Sequence, residues 1–177
     1  MNGSRKGGAY EREVGKKLSL WMTNGKTNNE FIRSVSSGGW ANKNKWQVGD
    51  LAPNGKDGRR LLEHFGVECK NREEFEWRHC WTSDNPKMFE WWGKIIEEVD
   101  EYGMIPMLIY RKNYVPEVIG LWDFFFPEEK REQFDRIMDI KFKDYTITVV
   151  PFETFLDVYT PEEVITLAVE WKKQSTN

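Results

Sequence analysis

The chain has 177 residues, two cysteines and a net charge of −3, which fits one domain large enough to bury a core of its own. Two cysteines exclude a disulfide framework and a four-thiolate zinc site, and no apolar run approaches the roughly 20 residues that a membrane helix needs. The polar N-terminus has no signal-peptide core behind it, so we expect a soluble protein of the cytoplasm with no membrane partner.

The first part of the chain predicts a helix followed by three antiparallel strands. Apolar residues recur at helical spacing over residues 7–21. Strands are predicted over 31–36, 46–52 and 61–70. The segment 53–58 is dense in turn residues, so we expect it to join the last two strands as a hairpin.

The middle of the chain predicts a helix packed on a buried strand. The helix is expected over 86–102, with its apolar residues along one face. The nearly continuous apolar run 104–110 is typical of a strand buried on both faces, and 118–122 predicts another short strand. The order is that of an αβββαβ core, spanning about residues 5–122, in which helices flank a mixed sheet.

The last third predicts a C-terminal α/β extension, about residues 123–177, within a single domain 1–177. A helix is expected over 127–138, a β-branched strand over 145–150 and a helical turn after it. Thr160, followed by Pro161 and Glu163, predicts the start of a final helix, because Thr caps the helix and Glu completes a capping box.

Two carboxylates and a lysine form the candidate site. Glu68 and Lys70 are two residues apart on a predicted strand, so their side chains point to the same face. Asp50 lies on the preceding strand and comes close to Glu68 if the two strands form a hairpin. Two facing carboxylates repel each other unless a cation lies between them, and oxygen ligands of this kind suit Mg²⁺ or Mn²⁺.

Other interpretations of these residues stay open. The same acid-x-Lys spacing occurs at Glu128, Asp139 and Glu170, but only Glu68 lies at the end of an apolar strand. Asp50, Glu68 and Lys70 could also be a surface ion-pair cluster. Asp57 is a rival for the first acid, although an Asp-Gly turn explains it.

Four further side chains are assigned on weaker grounds. Lys94 could face the candidate site, but the solvated face of its helix is the favoured assignment. His64, His79 and Cys80 have no assigned role, because their spacing does not repeat as in a zinc site.

At these residues the sequence resembles the PD-(D/E)XK nuclease superfamily, through Gly49-Asp50 and Val67-Glu68-Cys69-Lys70. The segment 5–13 resembles the opening helix of archaeal-type Holliday junction resolvases, in which a Glu joins the metal site, and that Glu matches Glu11. The Ser-Gly loop of these resolvases matches residues 36–39. Gly49 stands where the superfamily name has Pro. A phage or other mobile element is a plausible source for a small nuclease of this kind.

The resemblance implies a Mg²⁺-dependent endonuclease, with Mn²⁺ as a substitute, that acts as a homodimer on four-way DNA junctions. The implied metal ligands are Asp50, Glu68, the Cys69 carbonyl and Glu11, and Lys70 would position the attacking water. The alternatives are a restriction or repair endonuclease on duplex DNA, or a non-catalytic DNA-binding module. The expected DNA-binding residues are Arg5, Lys6, Arg12, Ser36, Ser37, Lys43 and Lys45, although Ser36 and Ser37 could simply end a strand.

The net charge conceals an uneven distribution. Residues 1–60 carry 12 basic and 5 acidic side chains, a net charge of +7, whereas residues 61–177 carry 14 basic and 24 acidic side chains, a net charge of −10. A nucleic-acid-binding face is expected to be basic. The distribution therefore predicts that the first third of the chain forms the DNA face.

Overall fold

The computed structural model describes residues 3–34, 45–72, 87–112 and 115–175, with side chains from 7 to 174 within these ranges. The helices are α1 (Gly3–Met22), α2 (Lys56–Leu62), α3 (Lys87–Asp100), α4 (Glu128–Arg131), α5 (Phe152–Val158) and α6 (Pro161–Ser175). The strands are β1 (Phe31–Arg33), β2 (Leu51–Pro53), β3 (Phe65–Asn71), β4 (Ile105–Arg111), β5 (Val118–Trp122), β6 (Met138–Phe142) and β7 (Tyr145–Pro151). None of the helices in these ranges has the length and apolar character to span a bilayer.

A mixed five-stranded sheet forms the centre of the fold, in the order β3-β4-β5-β7-β6. β3 and β4 are parallel, and the other neighbours are antiparallel. β4 is buried along almost its whole length, as its apolar run predicts. Because α1 packs on β3 and α3 packs on β3 and β4, helices flank the sheet as in a restriction-endonuclease-like core, and the predicted fold class is confirmed.

The predicted hairpin between the second and third strands is wrong. β2 pairs antiparallel with β1 in a separate two-stranded sheet, and α2 occupies the turn-rich segment. The carboxylate of Glu30 accepts hydrogen bonds from the backbone N–H groups of Asp57 (2.8 Å) and Gly58 (3.1 Å). A carboxylate at this position accepts hydrogen bonds from free backbone N–H groups and interacts favourably with the positive end of the helix dipole. Glu30, although distant in sequence, therefore stabilises the start of α2.

Other predicted boundaries in the first half move by a few residues. The strand expected over 46–52 is a 3₁₀ turn, Lys45–Gln47, followed by the short β2. The strand expected from residue 61 begins at Phe65, because Leu61 and Leu62 end α2.

The predicted C-terminal extension adds two strands to the core sheet. β7 pairs with β5, so that Ile119 lies opposite Val150, and β6 forms the outer edge. The helix expected over 127–138 is reduced to the single turn α4, since Phe134 is the one buried side chain in that stretch. The capping box is confirmed: the Thr160 N–H donates to Glu163 Oε2 (2.7 Å), and the Glu163 N–H donates to Thr160 Oγ1 (3.3 Å).

Gly66 shows which face of β3 meets α3. A Cβ atom at this position would lie 2.5 Å from Cγ1 of Val99, so α3 can pack this closely only because residue 66 is glycine. Side chains alternate along a strand, so Glu68 and Lys70 share the face of Gly66, whereas the Cys69 thiol lies on the side of α1 near Tyr10.

Candidate active site

The backbone holds Asp50 against β3. Gly49 forms a parallel bridge with Val67, and the Asp50 N–H donates to the Val67 carbonyl (2.7 Å). The Asp50 carbonyl in turn accepts the Ser34 N–H (2.8 Å). Gly49 has a φ of +75°, and a Cβ atom there would overlap the Val67 carbonyl. Glycine therefore permits this close approach, which proline, with its φ fixed near −65°, could not make.

The Asp50 side chain reaches the middle of β3. Its Oδ2 accepts the Cys69 N–H at 2.9 Å, and Oδ1 accepts no hydrogen bond from any residue that the structure describes. Asp50 and Glu68 are both buried, with 8% and 4% of their surface exposed. Asp50 and Glu68 thus come together as the sequence predicts, although a parallel bridge rather than a hairpin brings them there.

The negative charges of the two buried carboxylates are only partly compensated by nearby positive charge. Burial and then the Glu11 charge raise the pKa of Asp50, and burial and then the Asp50 charge raise the pKa of Glu68. The Lys70 ammonium forms an ion pair with Glu68 and counters only part of this effect. The pair has excess negative charge in a low-dielectric position, which is the condition that a divalent cation relieves.

Lys70 remains a cation at neutral pH. Although burial alone would lower its pKa, the Glu68 charge and hydrogen bond, followed by the Asp50 charge, raise it above the ordinary value of 10.5. The Cys69 thiol is also fixed in its protonated form, because burial and then the Asp50 charge raise its pKa. Lys70 can therefore donate hydrogen bonds, and the Cys69 backbone carbonyl rather than its thiol is the candidate ligand.

Glu11 lies close enough for its charge to act on Asp50, but it has a cation of its own. It is buried on α1, and Arg33 of β1 donates to its Oε2. Within the described ranges, no cluster of three or more Asp, Glu, His or Cys side chains is arranged to hold a metal ion. The candidate centre is therefore the pair Asp50 and Glu68, with Glu11 at its edge.

The donor set of this pair fits a magnesium ion. Mg²⁺ is commonly bound through one or two carboxylates, with substrate phosphate and water completing its coordination. The carboxylates of Asp50 and Glu68 and the Cys69 carbonyl are oxygen ligands of this kind.

The sequence analysis favoured a solvated position for Lys94 and did not single out Glu98. The charge of Lys94 lowers the pKa values of both Asp50 and Glu68, although other effects outweigh it. Lys94 lies 3.9 Å from Glu98, whose Oε2 accepts the Gly49 N–H at 3.4 Å. The Lys94 side chain is 64% exposed, in agreement with its assignment to the solvated face, and its charge also acts on both acids. The signal was Gly66, which shares the face of Glu68 and marks where α3 approaches.

The structure describes the side chains of two of the predicted DNA-binding residues, Lys45 and Arg12. Lys45 pairs with Glu63 at 2.9 Å and lies 4.5 Å from the centre of the Trp46 ring, near the end of β3 opposite to Lys70. Arg12 is exposed on α1. Ser36, Ser37 and Lys43, with the side chains of Arg5 and Lys6, lie outside the described residues.

Acids from the rest of the chain offset part of the basic charge of residues 1–60. Lys17 pairs with Glu117 (2.5 Å), and Arg60 pairs with Glu162 (3.3 Å). The excess of basic residues in the sequence is therefore larger than the excess on the folded surface.

Comparison with known proteins agrees with this geometry. Residues 2–166 match the family described as "Phage putative PDDEXK endonuclease". Neither the curated proteins nor the solved structures compared with the chain include a significant match. Since the family covers most of the sequence, including Asp50, Glu68 and Lys70, the chain belongs to the phage PDDEXK endonuclease family.

Proposed function

We propose that this protein is a Mg²⁺-dependent endonuclease that hydrolyses phosphodiester bonds in DNA, with Mn²⁺ able to replace Mg²⁺. The observation that carries the proposal is the buried pair of Asp50 and Glu68, for which Lys70 forms the one ion pair among the residues that the structure describes. An uncompensated pair of this kind is costly to bury, and a divalent cation with a DNA phosphate would offset its charge. Family membership supports the same chemistry.

Different residues of the chain would bind the metal ion and orient the attacking water. Asp50, Glu68 and the Cys69 carbonyl would hold the ion, and Glu11 would bind it or orient its water ligands. The residues would thus place an ion that, when bound, would act as a Lewis acid and lower the pKa of a bound water molecule. Lys70 would orient the attacking water and offset phosphate charge. The bond that breaks leaves a 5′-phosphate and a 3′-hydroxyl group.

The finer proposal is that the substrate is a four-way junction cut symmetrically by a homodimer. It is supported by the resemblance of the α1 segment around Glu11 to junction resolvases. Recognition would depend on DNA shape and backbone charge. Contacts would come from Arg5, Lys6, Arg12, Ser36, Ser37, Lys43 and Lys45.

A cleavage assay on matched DNA substrates tests both the nuclease proposal and the junction proposal. Wild type in Mg²⁺ should cut a labelled four-way junction faster than its linear arms, and Asp50→Asn should abolish cutting while preserving junction binding in Ca²⁺. The control is Asp57→Asn, because Asp57 pairs with Arg60 at 3.2 Å on α2 and should leave cleavage unchanged.

Each alternative has its own outcome in this assay. Equal rates on the junction and its arms would replace the junction proposal with a duplex endonuclease. Binding without any cleavage, in Mg²⁺ or Mn²⁺, would indicate a non-catalytic DNA-binding module. A monomer by light scattering, alone and with junction DNA, would contradict the dimer.

A further inference from the structure

β6 is an outer strand of the five-stranded sheet, and the side of β6 away from β7 pairs with no strand that the structure describes. Along β6, Ile140 and Phe142 are buried, whereas Asp139 and Lys141 are exposed. Ile137, directly before the strand, is an exposed large apolar side chain. An unpaired edge presents backbone N–H and C=O groups that can bind another strand. The outer edge of β6 is therefore a candidate docking surface for a strand.

The hairpin geometry determines which residues of β6 direct their backbone groups to this edge. Two residues separate β6 from β7, so the flanking residues, Phe142 and Tyr145, form a hydrogen-bonded pair. Such pairs recur at every second residue, so Ile140 also bonds β7. The N–H and C=O groups of Asp139 and Lys141 consequently point away from β7, to the open edge.

The charges on this edge fit a second copy of the same strand in one register. Antiparallel pairing about a two-fold axis at Ile140 brings each Asp139 opposite Lys141 of the second copy. Pairing centred on Asp139 or on Lys141 would place like charges opposite each other, which is unfavourable. Charged residues ordinarily protect an edge strand from pairing, but an acid and a base two residues apart are complementary to their own copy.

The backbone selects the same register as the charges. Asp139 and Lys141 are the residues whose N–H and C=O groups face the open edge, and in this register each Asp139 forms a hydrogen-bonded pair with Lys141 of the second copy. On the other face of the sheet, Ile140 lies opposite its own copy and Met138 lies opposite Phe142. The buried face of β6 thus continues as an apolar face across the junction of the two sheets.

We propose that the outer edge of β6 binds the same edge of a second copy of this chain, antiparallel about Ile140, and joins the two sheets into one. β3, which carries Glu68 and Lys70, is the opposite outer strand of each sheet, so the pairing leaves both candidate active sites uncovered. The inference rests on the homodimer of the proposed function and deepens it by naming the interface.

Lys141→Pro tests the backbone bonds between the two copies. Proline has no N–H, and because the Lys141 N–H points away from β7, the hairpin itself should be retained. The matched control is Lys141→Ala, which loses the same charge but keeps the N–H. The dissociation constant of the dimer, from light scattering over a range of protein concentrations, should be about 30-fold higher for Lys141→Pro than for Lys141→Ala. Equal constants in two variants that both unfold cooperatively would overturn the inference.

Charge variants test the register. Lys141→Asp places two acids opposite each other in each pair, and Asp139→Lys places two lysines opposite each other, so each variant alone should dimerise about tenfold more weakly than wild type. A mixture of the two variants restores an acid opposite a lysine in every pair, and native mass spectrometry should detect the heterodimer in excess of either homodimer. Lys143→Asp makes the same charge change on the turn and should leave dimerisation unchanged. A mixture without this excess would overturn the inference.

These measurements separate the inference from the proposed function. If wild type cuts DNA as a monomer, the nuclease proposal stands, and the homodimer and the β6 interface both fail. If wild type is a dimer that Lys141→Pro and Lys141→Ala affect equally, the homodimer stands and the β6 interface fails. If the copies pair through β6 but no DNA is cut, the inference stands and the nuclease proposal fails.

Discussion

Two groups of ionisable side chains adjoin α1, and their charges are balanced differently. In the carboxylate pair, Asp50 and Glu68 are buried and share Lys70. In the second group, which we term the α1 clamp, every acid meets a cation within 3.6 Å. The α1 clamp consists of Glu13, Lys17, Arg111, Glu117 and Glu153.

The difference separates a structural role from a functional one. In the α1 clamp, Lys17 bonds Glu117 (2.5 Å) and Glu153 (2.6 Å), and Arg111 bonds Glu13 (2.8 Å), which ties α1 to the sheet. In the carboxylate pair, Lys70 forms the one ion pair found in the part of the chain that the structure describes, and burial is the first cause that raises the pKa values of both acids. Burial of an acid alone therefore does not mark a functional site, whereas burial with excess negative charge makes the position a candidate for one.

The largest expected effect comes from neutralising the carboxylate pair. Glu68→Gln should lower the DNA cleavage rate about 1,000-fold, since it removes a proposed ligand. The melting temperature should stay equal or rise, because glutamine removes a buried charge facing Asp50 and can still accept from Lys70. Cleavage of labelled DNA and thermal unfolding measure the two effects. A variant that cuts at the wild-type rate would place the site elsewhere.

A substitution in the α1 clamp should have the opposite effect, because it should change stability rather than cleavage. Glu117→Ala removes the buried acid that Lys17 and Arg111 share, although Lys17 keeps Glu153 and Arg111 keeps Glu13, and it should lower the free energy of unfolding by about 2 kcal/mol. Cleavage per folded molecule should be unchanged. Glu153→Ala is the matched control, because Glu153 bonds the same lysine but is 66% exposed, and it should cost less than about 1 kcal/mol. Urea denaturation measures both free energies of unfolding. Equal losses in the two variants would contradict the expectation that the buried acid contributes more than the exposed one.

A divalent cation bound at the carboxylate pair should stabilise the folded protein. At Mg²⁺ ten times above its Kd, the free energy of unfolding should rise by about 1.4 kcal/mol, since the ion binds the folded state. Asp50→Asn should lose this gain. Sodium chloride at matched ionic strength is the control, and a similar gain in wild type and Asp50→Asn would show that the ion binds away from Asp50.

The smallest expected effect lies at the start of α6, a second well-compensated position. Glu163→Gln should lower the free energy of unfolding by about 1 kcal/mol, because Glu163 bonds Lys130 and caps the helix through Thr160. The Lys130 hydrogen bond, followed by the Thr160 N–H, lowers the pKa of Glu163 from 4.5 to about 2.

Because the pKa of Glu163 is lowered, the stability that this cap contributes decreases as the pH falls. The stabilisation by ionised Glu163 is complete above pH 4.5 and is lost as the pH falls toward about 2. Thermal unfolding of wild type and Glu163→Gln across that window should therefore converge at low pH. A constant difference would mean that the cap does not depend on the charge.

Local patterns in the sequence predicted much of the fold. The apolar run of β4, the helical spacing of α1 and α3 and the capping box of α6 are encoded by residues close together in the chain, so spacing and propensity suffice to predict them. The shared face of Glu68 and Lys70 follows from strand alternation alone. These local rules and the resemblance identified the candidate residues.

Contacts between distant residues decided the rest. Glu30 starts α2 from 27 residues away, which converts an expected hairpin into a helix. The bridge between Gly49 and Val67 brings Asp50 to Glu68, and the packing of α3 over Gly66 brings Lys94 near both acids. The sequence by itself determined which side chains could carry the chemistry. Only the tertiary structure decided how they meet, because burial and charge balance depend on residues far apart in the chain.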